Sequence, residues 1–325
     1  MDATPGDWAA GIRQADERIR GDIKRTPVER SRPLSRETGA TVFVKWECDQ
    51  ITGSFKLRGA LNKLRSLSPA DRARGVVSAS TGNHGLAISH AARLEGIGLK
   101  LFLPENAAEV KRKRIEAMDV EVEVRGASCD KAEALARDFA ARTGRIFVSP
   151  YNDEDIVRGA GTLGLEIDAA VERFDEVLVP VGGGGLIAGV AAYLKSVRPG
   201  VRIVGVEPET SAFMAASLRA GRLVEIEERA TIADAVAGAI EPGSITFPLC
   251  RAFVDGIEVV PESLIAKAMG LIFAAHGRVV EGAGALPLAA LLQAPAARAG
   301  RAVVAVVSGG NIDPERFREI TGARP

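Results

Sequence analysis

Val177-Leu178-Val179-Pro180-Val181-Gly182-Gly183-Gly184-Gly185-Leu186-Ile187-Ala188 reads as a short apolar strand, a turn of four glycines and the opening of a helix that runs on through residue 197. A β-branched run bounded by glycine and followed by helical periodicity is the pattern of a strand in a parallel sheet covered by helices. Working outward, the same alternation repeats. Strands are expected near residues 42–46, 76–79, 99–103, 120–124 and 146–148, and in a second series at 177–181, 202–206, 256–260 and 303–307. Residues 160–172 between the two series are helical in pattern, and no Pro/Ser/Gly-rich linker marks a cut. The chain is therefore α/β, with two units sharing an interface. No internal repeat of 20–50 residues is visible.

Composition narrows the function classes. At 325 residues, 46% hydrophobic and 26% charged, the chain is long enough to bury about three quarters of its unfolded surface in two domains. Its 42 basic residues cancel 42 acidic ones, so no net field attracts nucleic acid or anionic lipid, and small neutral or zwitterionic partners fit better. Three cysteines, Cys48, Cys129 and Cys250, lack paired spacing, which argues for a reducing compartment and three buried free thiols. His84, His90 and His276 are not spaced as zinc ligands. The stretch Met1 to Asp7 has no apolar signal region and no run reaches membrane-spanning length, so a cytoplasmic protein is expected. The basic run Lys111-Arg112-Lys113-Arg114, within a helical stretch at 109–118, reads as a solvated face without function.

Three glycine-rich segments each follow an expected strand: Ser80-Thr81-Gly82-Asn83-His84-Gly85, the tetraglycine 182–185, and Ser308-Gly309-Gly310-Asn311. Ligands of open α/β sheets bind beyond the carboxyl ends of strands, so three such segments point to one shared site. The tetraglycine is the sharpest, because residues without Cβ let successive N–H groups converge at a helix N-terminus and cradle a phosphate. The Gly-Lys-Ser/Thr ending of a P-loop is absent. Gly183, Gly185 and Ala188 do satisfy a dinucleotide spacing, with Glu207 where a ribose-binding acid would fall, so a nicotinamide-dependent oxidoreductase is a rival.

Thr52-Gly53-Ser54-Phe55-Lys56-Leu57-Arg58-Gly59-Ala60 weighs between them. Ser54 reads as an N-cap, which puts Lys56 in the first helical turn, where the helix dipole, Arg58 and burial beside Phe55 all disfavour the ammonium. A lysine held partly as free amine condenses with an aldehyde. A phosphate cradle plus such an amine is what pyridoxal phosphate requires, whereas the dinucleotide reading leaves Lys56 idle.

Residues 54–60, 80–85, 182–185 and 308–311 together resemble the motif set of fold-type II pyridoxal-phosphate enzymes, most closely the serine/threonine dehydratase (ammonia-lyase) and serine racemase branch. The likeness runs from about residue 25 to residue 311. It implies two open twisted sheets covered by helices, as in the tryptophan synthase beta-like fold, with the cofactor in the cleft between domains. Residues 1–75 and 152–325 would form the large cofactor-binding domain and 76–151 a small mobile one. By the same likeness Lys56 would be the Schiff-base lysine and the base that removes the α-proton, with Phe55 packed on the cofactor ring. Asn83 would meet the phenolic oxygen, Gly182, Gly183, Gly184, Gly185 and the Leu186 N–H would hold the phosphate, and Ser308 would meet the pyridine nitrogen. Ser80, Thr81, Gly82, Asn83 and His84 would receive the substrate carboxylate. A neutral hydroxyl at the ring nitrogen weakens the electron sink and favours loss of a β-leaving group, which implies conversion of serine or threonine to a 2-oxo acid and ammonia, in a homodimer.

Departures from the pattern bear on the substrate and on metal. Racemases of this branch are expected to carry serine at position 81 as the second base; Thr81 keeps the hydroxyl but adds a methyl that restricts its rotamer, which favours elimination. The branch's stimulatory metal site uses a glutamate before proline, a carbonyl four residues on and an aspartate two further. Glu207 precedes Pro208, but the final position is Phe213, so no metal is expected. With the sequence ending soon after Asn311, the C-terminal regulatory domain of biosynthetic threonine dehydratases is not expected. Thr231-Ile232-Ala233-Asp234-Ala235, together with residues 80–85, is also similar to hydroxyectoine-utilisation dehydratases, so 3-hydroxyaspartate and a hydroxyectoine-derived substrate stay open beside serine racemisation and a non-catalytic amino-acid sensor.

Overall fold

The computed structural model describes residues 5–105 and 109–323. Residues 1–4 of the N-terminal reading and the side chain of Lys111 in the basic run lie outside the described residues. The strands are β1 (Val28–Arg30), β2 (Thr41–Trp46), β3 (Val76–Ala79), β4 (Leu99–Leu103), β5 (Glu121–Val124), β6 (Ile146–Phe147), β7 (Glu176–Pro180), β8 (Arg202–Pro208), β9 (Gly256–Val260) and β10 (Ala302–Val307). They form a six-stranded sheet in the order β1-β2-β10-β7-β8-β9 and a four-stranded sheet in the order β5-β4-β3-β6. Every neighbouring pair is parallel except β1 with β2.

Side-chain alternation explains why the central strands are apolar on both faces. Val304 and Val306 of β10 join one core with the helices Glu154–Ala170 and Gly185–Val197, while Val303, Ala305 and Val307 join another with Glu262–His276 and Gly282–Gln293. In the smaller sheet Leu99, Leu101 and Leu103 face the helices Lys56–Ser66 and Asn83–Glu95, and Phe102 faces Cys129–Thr143.

The helix Lys56–Ser66 lies between the two units. Leu57, Ala60, Leu61 and Leu64 pack toward the smaller sheet, and its opposite side crosses Glu154–Ala170 at Gly159. A Cβ on Gly159 would stand 2.5 Å from the Arg58 carbonyl oxygen and 2.7 Å from the Gly59 Cα, so only glycine allows that crossing.

Under the start of this helix sits a closed cluster of charge. Arg58 donates through Nε and Nη2 to both oxygens of Glu47 at 2.8 Å, and through Nη1 and Nη2 to Glu166 at 2.8 and 3.0 Å. Lys45 donates to Glu166 and, at 2.7 Å, to the Thr26 carbonyl oxygen; Thr26 donates to Glu47. All four charged side chains are at most 4% exposed. Burial alone would raise the Glu47 pKa, yet Arg58 and Lys45 hold it below the ordinary value. Burial would likewise depress Arg58, but Glu47 and Glu166 carry it above its ordinary value.

Two bends in the sequence reading follow from this structure. Cys129 is exposed rather than buried, because it opens the helix Cys129–Thr143 on the outer face, while Cys250 is buried and none of the three cysteines is in a disulfide. Strand β1 was not expected. Arg58→Met should cost about 3–5 kcal/mol at neutral pH, the usual penalty for stranding a buried ion partner, as read by denaturant unfolding. Without Arg58, Glu47 loses the main charge that holds its pKa down, so the deficit should be largest near neutrality and shrink on acidification as Glu47 takes a proton. A deficit that grows toward acid would contradict this account of the cluster.

Candidate active site

The loop before Lys56 is fixed by pairing rather than by a cap. Ser54 forms an isolated antiparallel bridge with Gly309, and the Phe55 N–H donates to the Ser308 carbonyl oxygen at 3.0 Å. Phe55, with φ −58° and ψ −19°, is the N-cap residue and makes no side-chain cap bond. Ser54 is therefore not the expected cap: its backbone is committed to the loop after β10. Its hydroxyl is buried and has no hydrogen-bond partner among the described residues.

Lys56 opens the helix. Its Nζ donates to the Pro150 carbonyl oxygen at 2.8 Å and lies 5.1 Å from the centre of the Phe55 ring. Desolvation lowers its pKa to about 8, against the opposing pull of the Glu281 carboxylate. The amine is thus a neutral nucleophile and base for about a tenth of the time at pH 7, a few hundred times more than an ordinary lysine.

The tetraglycine leaves β7 and enters Gly185–Val197. Gly184 is left-handed, with φ +86°, and Ala188 is the first residue whose N–H returns to Gly184, at 2.9 Å. The N–H groups of the helix's first turn consequently have no intrahelical acceptor and present partial positive charge. A Cβ on Gly183 would stand 2.5 Å from the Tyr151 ring, and one on Gly184 2.8 Å from Met214 Cε. Thr246 donates its hydroxyl to the Gly183 carbonyl oxygen at 2.6 Å, which fixes the turn with that carbonyl spoken for.

The third segment starts the helix Asn83–Glu95, again with no side-chain cap. Ser80 Oγ accepts from the Gly82 N–H at 3.2 Å, and Asn83 Nδ2 donates to Glu281 Oε1 at 2.7 Å. His84 turns its ring into the sheet. Its Nε2 lies 3.0 Å from Ser78 Oγ and 3.3 Å from the Val148 carbonyl oxygen, and burial drives its pKa to about 3, so it is a neutral anchor. Thr81 is half-buried on the loop. Ser308, 4% exposed, follows β10 directly, beside the Ser54–Gly309 bridge.

Hydrogen bonds and contacts link these segments: Lys56 to Pro150, Tyr151 against Gly183, Asn311 Nδ2 to both the Thr52 carbonyl oxygen at 2.8 Å and Asn83 Oδ1 at 2.7 Å. Glu281, Tyr151 and Pro150 were not singled out from sequence. Glu281 did carry a signal, as a lone acid in the apolar run 279–283 that the fold leaves 4% exposed. Glu207 does not serve as the ribose acid of the rival reading: both its oxygens accept from the N–H groups of Met214 and Ala215, at 2.9 and 2.7 Å, and burial raises its pKa to about 7.

Comparison with known proteins agrees with this geometry. The family model described as pyridoxal-phosphate dependent enzyme matches residues 19–309. The L-threonine dehydratase catabolic TdcB of Escherichia coli (strain K12) is 39% identical over 313 residues, covering 96% of this chain and 95% of its own. Among solved structures, the processed form of threonine deaminase isoform 2 from Solanum lycopersicum aligns with a TM-score of 0.93 at 31% identity, covering 98% of this chain and 92% of its own. Maize serine racemase aligns at 0.90 and 34% identity, covering 96% and 95%. With a family match over most of its length, a buried amine at the mouth of one helix and a glycine cradle at the mouth of another, the chain belongs to the pyridoxal-phosphate dependent enzymes.

Proposed function

We propose that the protein is an ammonia-lyase that converts L-threonine or L-serine to a 2-oxo acid and ammonia. The observation that carries this is the Lys56 amine, desolvated to a pKa of about 8 and held on the Pro150 carbonyl oxygen, next to the Tyr151 ring that packs on the tetraglycine turn. The 39% identity to a catabolic threonine dehydratase over nearly the whole of both chains supports the substrate class.

The site fits the family's cofactor. A side chain at Gly183 or Gly184 would collide with Tyr151 or Met214 and displace the turn whose N–H groups would take the phosphate, the Lys56 amine is held close by on the Pro150 carbonyl oxygen, and the buried Ser54 hydroxyl has no hydrogen-bond partner among the described residues. When bound, pyridoxal phosphate supplies the aldehyde that joins the amino group and the conjugated ring that accepts electrons from the α-carbon. Lys56 Nζ would hold the aldehyde end and is the base placed to take the α-proton of a substrate. The N–H groups of Gly182, Gly183, Gly184, Gly185 and Leu186 would hold the phosphate, with the helix dipole behind them. Phe55 would pack on the ring, Asn83 Nδ2 would donate to the phenolic oxygen, and Ser308 Oγ would meet the ring nitrogen without adding charge. The main chain of Ser80, Thr81, Gly82, Asn83 and His84 receives the substrate carboxylate at the start of Asn83–Glu95. Residues 76–151 close over residues 1–75 and 152–325 to exclude water, a division supported by the two separate sheets. The working form is a homodimer in the cytoplasm.

Racemisation of serine is the second reading, supported by the maize relative and by the hydroxyl retained at Thr81. Incubation with L-threonine, L-serine and 3-hydroxyaspartate should yield 2-oxo acid from the first two, with little D-isomer; D-serine as main product would transfer the assignment to a racemase. Borohydride trapping and peptide mapping should place the cofactor on Lys56, and Lys56→Ala should lack the near-visible absorbance of the lysine-bound form. In cofactor-free protein, labelling of the Lys56 amine should rise with pH around a midpoint of about 8; a midpoint at the ordinary value of 10.5 would refute the desolvated amine. Gly183→Ala, which sets a methyl against Tyr151, should strain the turn by about 1–3 kcal/mol and loosen cofactor retention on dialysis.

A further inference from the structure

The basic run at 111–114 is not wholly a solvated face. Arg114, on the helix Glu109–Glu116, donates through Nη2 to Asn311 Oδ1 at 2.9 Å. Asn311 Nδ2 donates onward to Asn83 Oδ1 at 2.7 Å and to the Thr52 carbonyl oxygen at 2.8 Å. Asn83 Nδ2 donates in turn to Glu281 Oε1 at 2.7 Å.

The ends of this chain fix its polarity. A guanidinium can only donate and a carboxylate can only accept, so each carboxamide between them has one workable orientation. Asn311 must turn its oxygen to Arg114 and its amide to Asn83, and Thr52, which can only accept there, enforces the same choice. Asn83 must then turn its oxygen to Asn311 and its amide inward. Of the two hydrogens on Asn83 Nδ2, one goes to Glu281, and among the described residues no other acceptor takes the second. Asn83 and Glu281 are 8% and 4% exposed, so a misoriented amide there would bury unpaired groups.

We propose that Arg114 and Asn311 are positioning residues for Asn83: they lock its carboxamide so that one N–H always faces the phenolic oxygen of bound pyridoxal phosphate. This rests on the reading of Asn83 as a cofactor contact. Arg114 and Asn83 belong to the 76–151 unit, and Asn311, Thr52 and Glu281 lie outside it, so the lock also registers the smaller unit against the larger one. Asn311 belongs to the segment 308–311, of which only Ser308 has a role in the proposed reaction.

The experiment is titration of cofactor-free protein with pyridoxal phosphate, read as the dissociation constant and the position of the near-visible band. Asn311→Asp puts a carboxylate oxygen against Asn83 Oδ1 and the Thr52 carbonyl; it should weaken the cofactor at least about tenfold and shift the band, in line with loss of a buried hydrogen bond. Arg114→Met should weaken it several-fold, and Arg114→Lys, which keeps a donor, should restore most of the loss. Arg114 is exposed, so its variants carry the test if Asn311→Asp does not fold. Asn83→Ala separates the two levels. If it weakens the cofactor while Asn311→Asp and Arg114→Met stay within twofold of the parent with an unshifted band, the lock is wrong and the site reading stands. If Asn83→Ala itself leaves the dissociation constant unchanged, the cofactor contact and the lock fall together.

Discussion

Two cations at the N-terminal end of one helix are the constraint on which the rest depends. The first turn of Lys56–Ser66 contains no acid, so the helix dipole opposes both Lys56 and Arg58. The fold resolves the two in opposite ways. Arg58, which cannot give up its proton, is surrounded by the carboxylates of Glu47 and Glu166 and held charged. Lys56, which can, is given a carbonyl oxygen and an apolar ring, and its pKa falls to about 8. The buried cluster thus absorbs the electrostatic cost of starting a helix at this point and, of the two cations, leaves the Lys56 amine free to change protonation. Because Glu47 belongs to the turn after β2 and Glu166 to Glu154–Ala170, the same bonds fix the height of the lysine relative to the large sheet.

The second wall of the cleft is built on backbone rather than side chains. The tetraglycine works because Tyr151 and Met214 already occupy the space a Cβ would take. Tyr151 is anchored by the Glu241 N–H, which its hydroxyl accepts at 2.8 Å, and Pro150 beside it receives the Lys56 amine. Residues 150 and 151 therefore touch both the lysine and the tetraglycine turn, and a shift of that turn would be felt at the lysine through two adjacent residues. That coupling suits the proposed reaction, in which phosphate binding at the turn would be converted into orientation at the amine.

The fold itself does not separate lyase from racemase, since the tomato deaminase and the maize racemase superpose on this chain nearly equally well, at 0.93 and 0.90. The separation must come from groups that deliver a proton to the face away from Lys56. Among residues 80–84, His84 is spent as a neutral anchor on Ser78 and Val148, with a pKa near 3. Ser80 and Thr81 are left as the loop's hydroxyls; Ser80 Oγ is held by the Gly82 N–H, and the Thr81 methyl limits the rotamers available to its hydroxyl. Elimination, which needs only the lysine face, is the reaction this distribution favours.

What was legible in the sequence follows the range of the interaction. Strands 76–79, 99–103 and 256–260 were read at their observed limits because apolar runs and glycine boundaries are local signals. Strand β1 escaped because three residues, two of them charged, paired at an edge leave no periodic trace. Ser54 was misread as a cap because its true partner, Gly309, is remote in sequence, and Glu207 could support the rival dinucleotide reading only because the helix N-terminus that folds back onto it is not visible in the spacing. The polarity of Asn83 is the extreme case. It depends on Glu281, 198 residues away, and on an Asn311–Arg114 contact that spans 197. Motif spacing can name a carboxamide as a cofactor contact, but which end it presents is decided by where the fold brings a pure donor and a pure acceptor to either side of it. The residues that fix such a choice need not carry any reactive group, and so they are found by following hydrogen bonds outward from the chemistry.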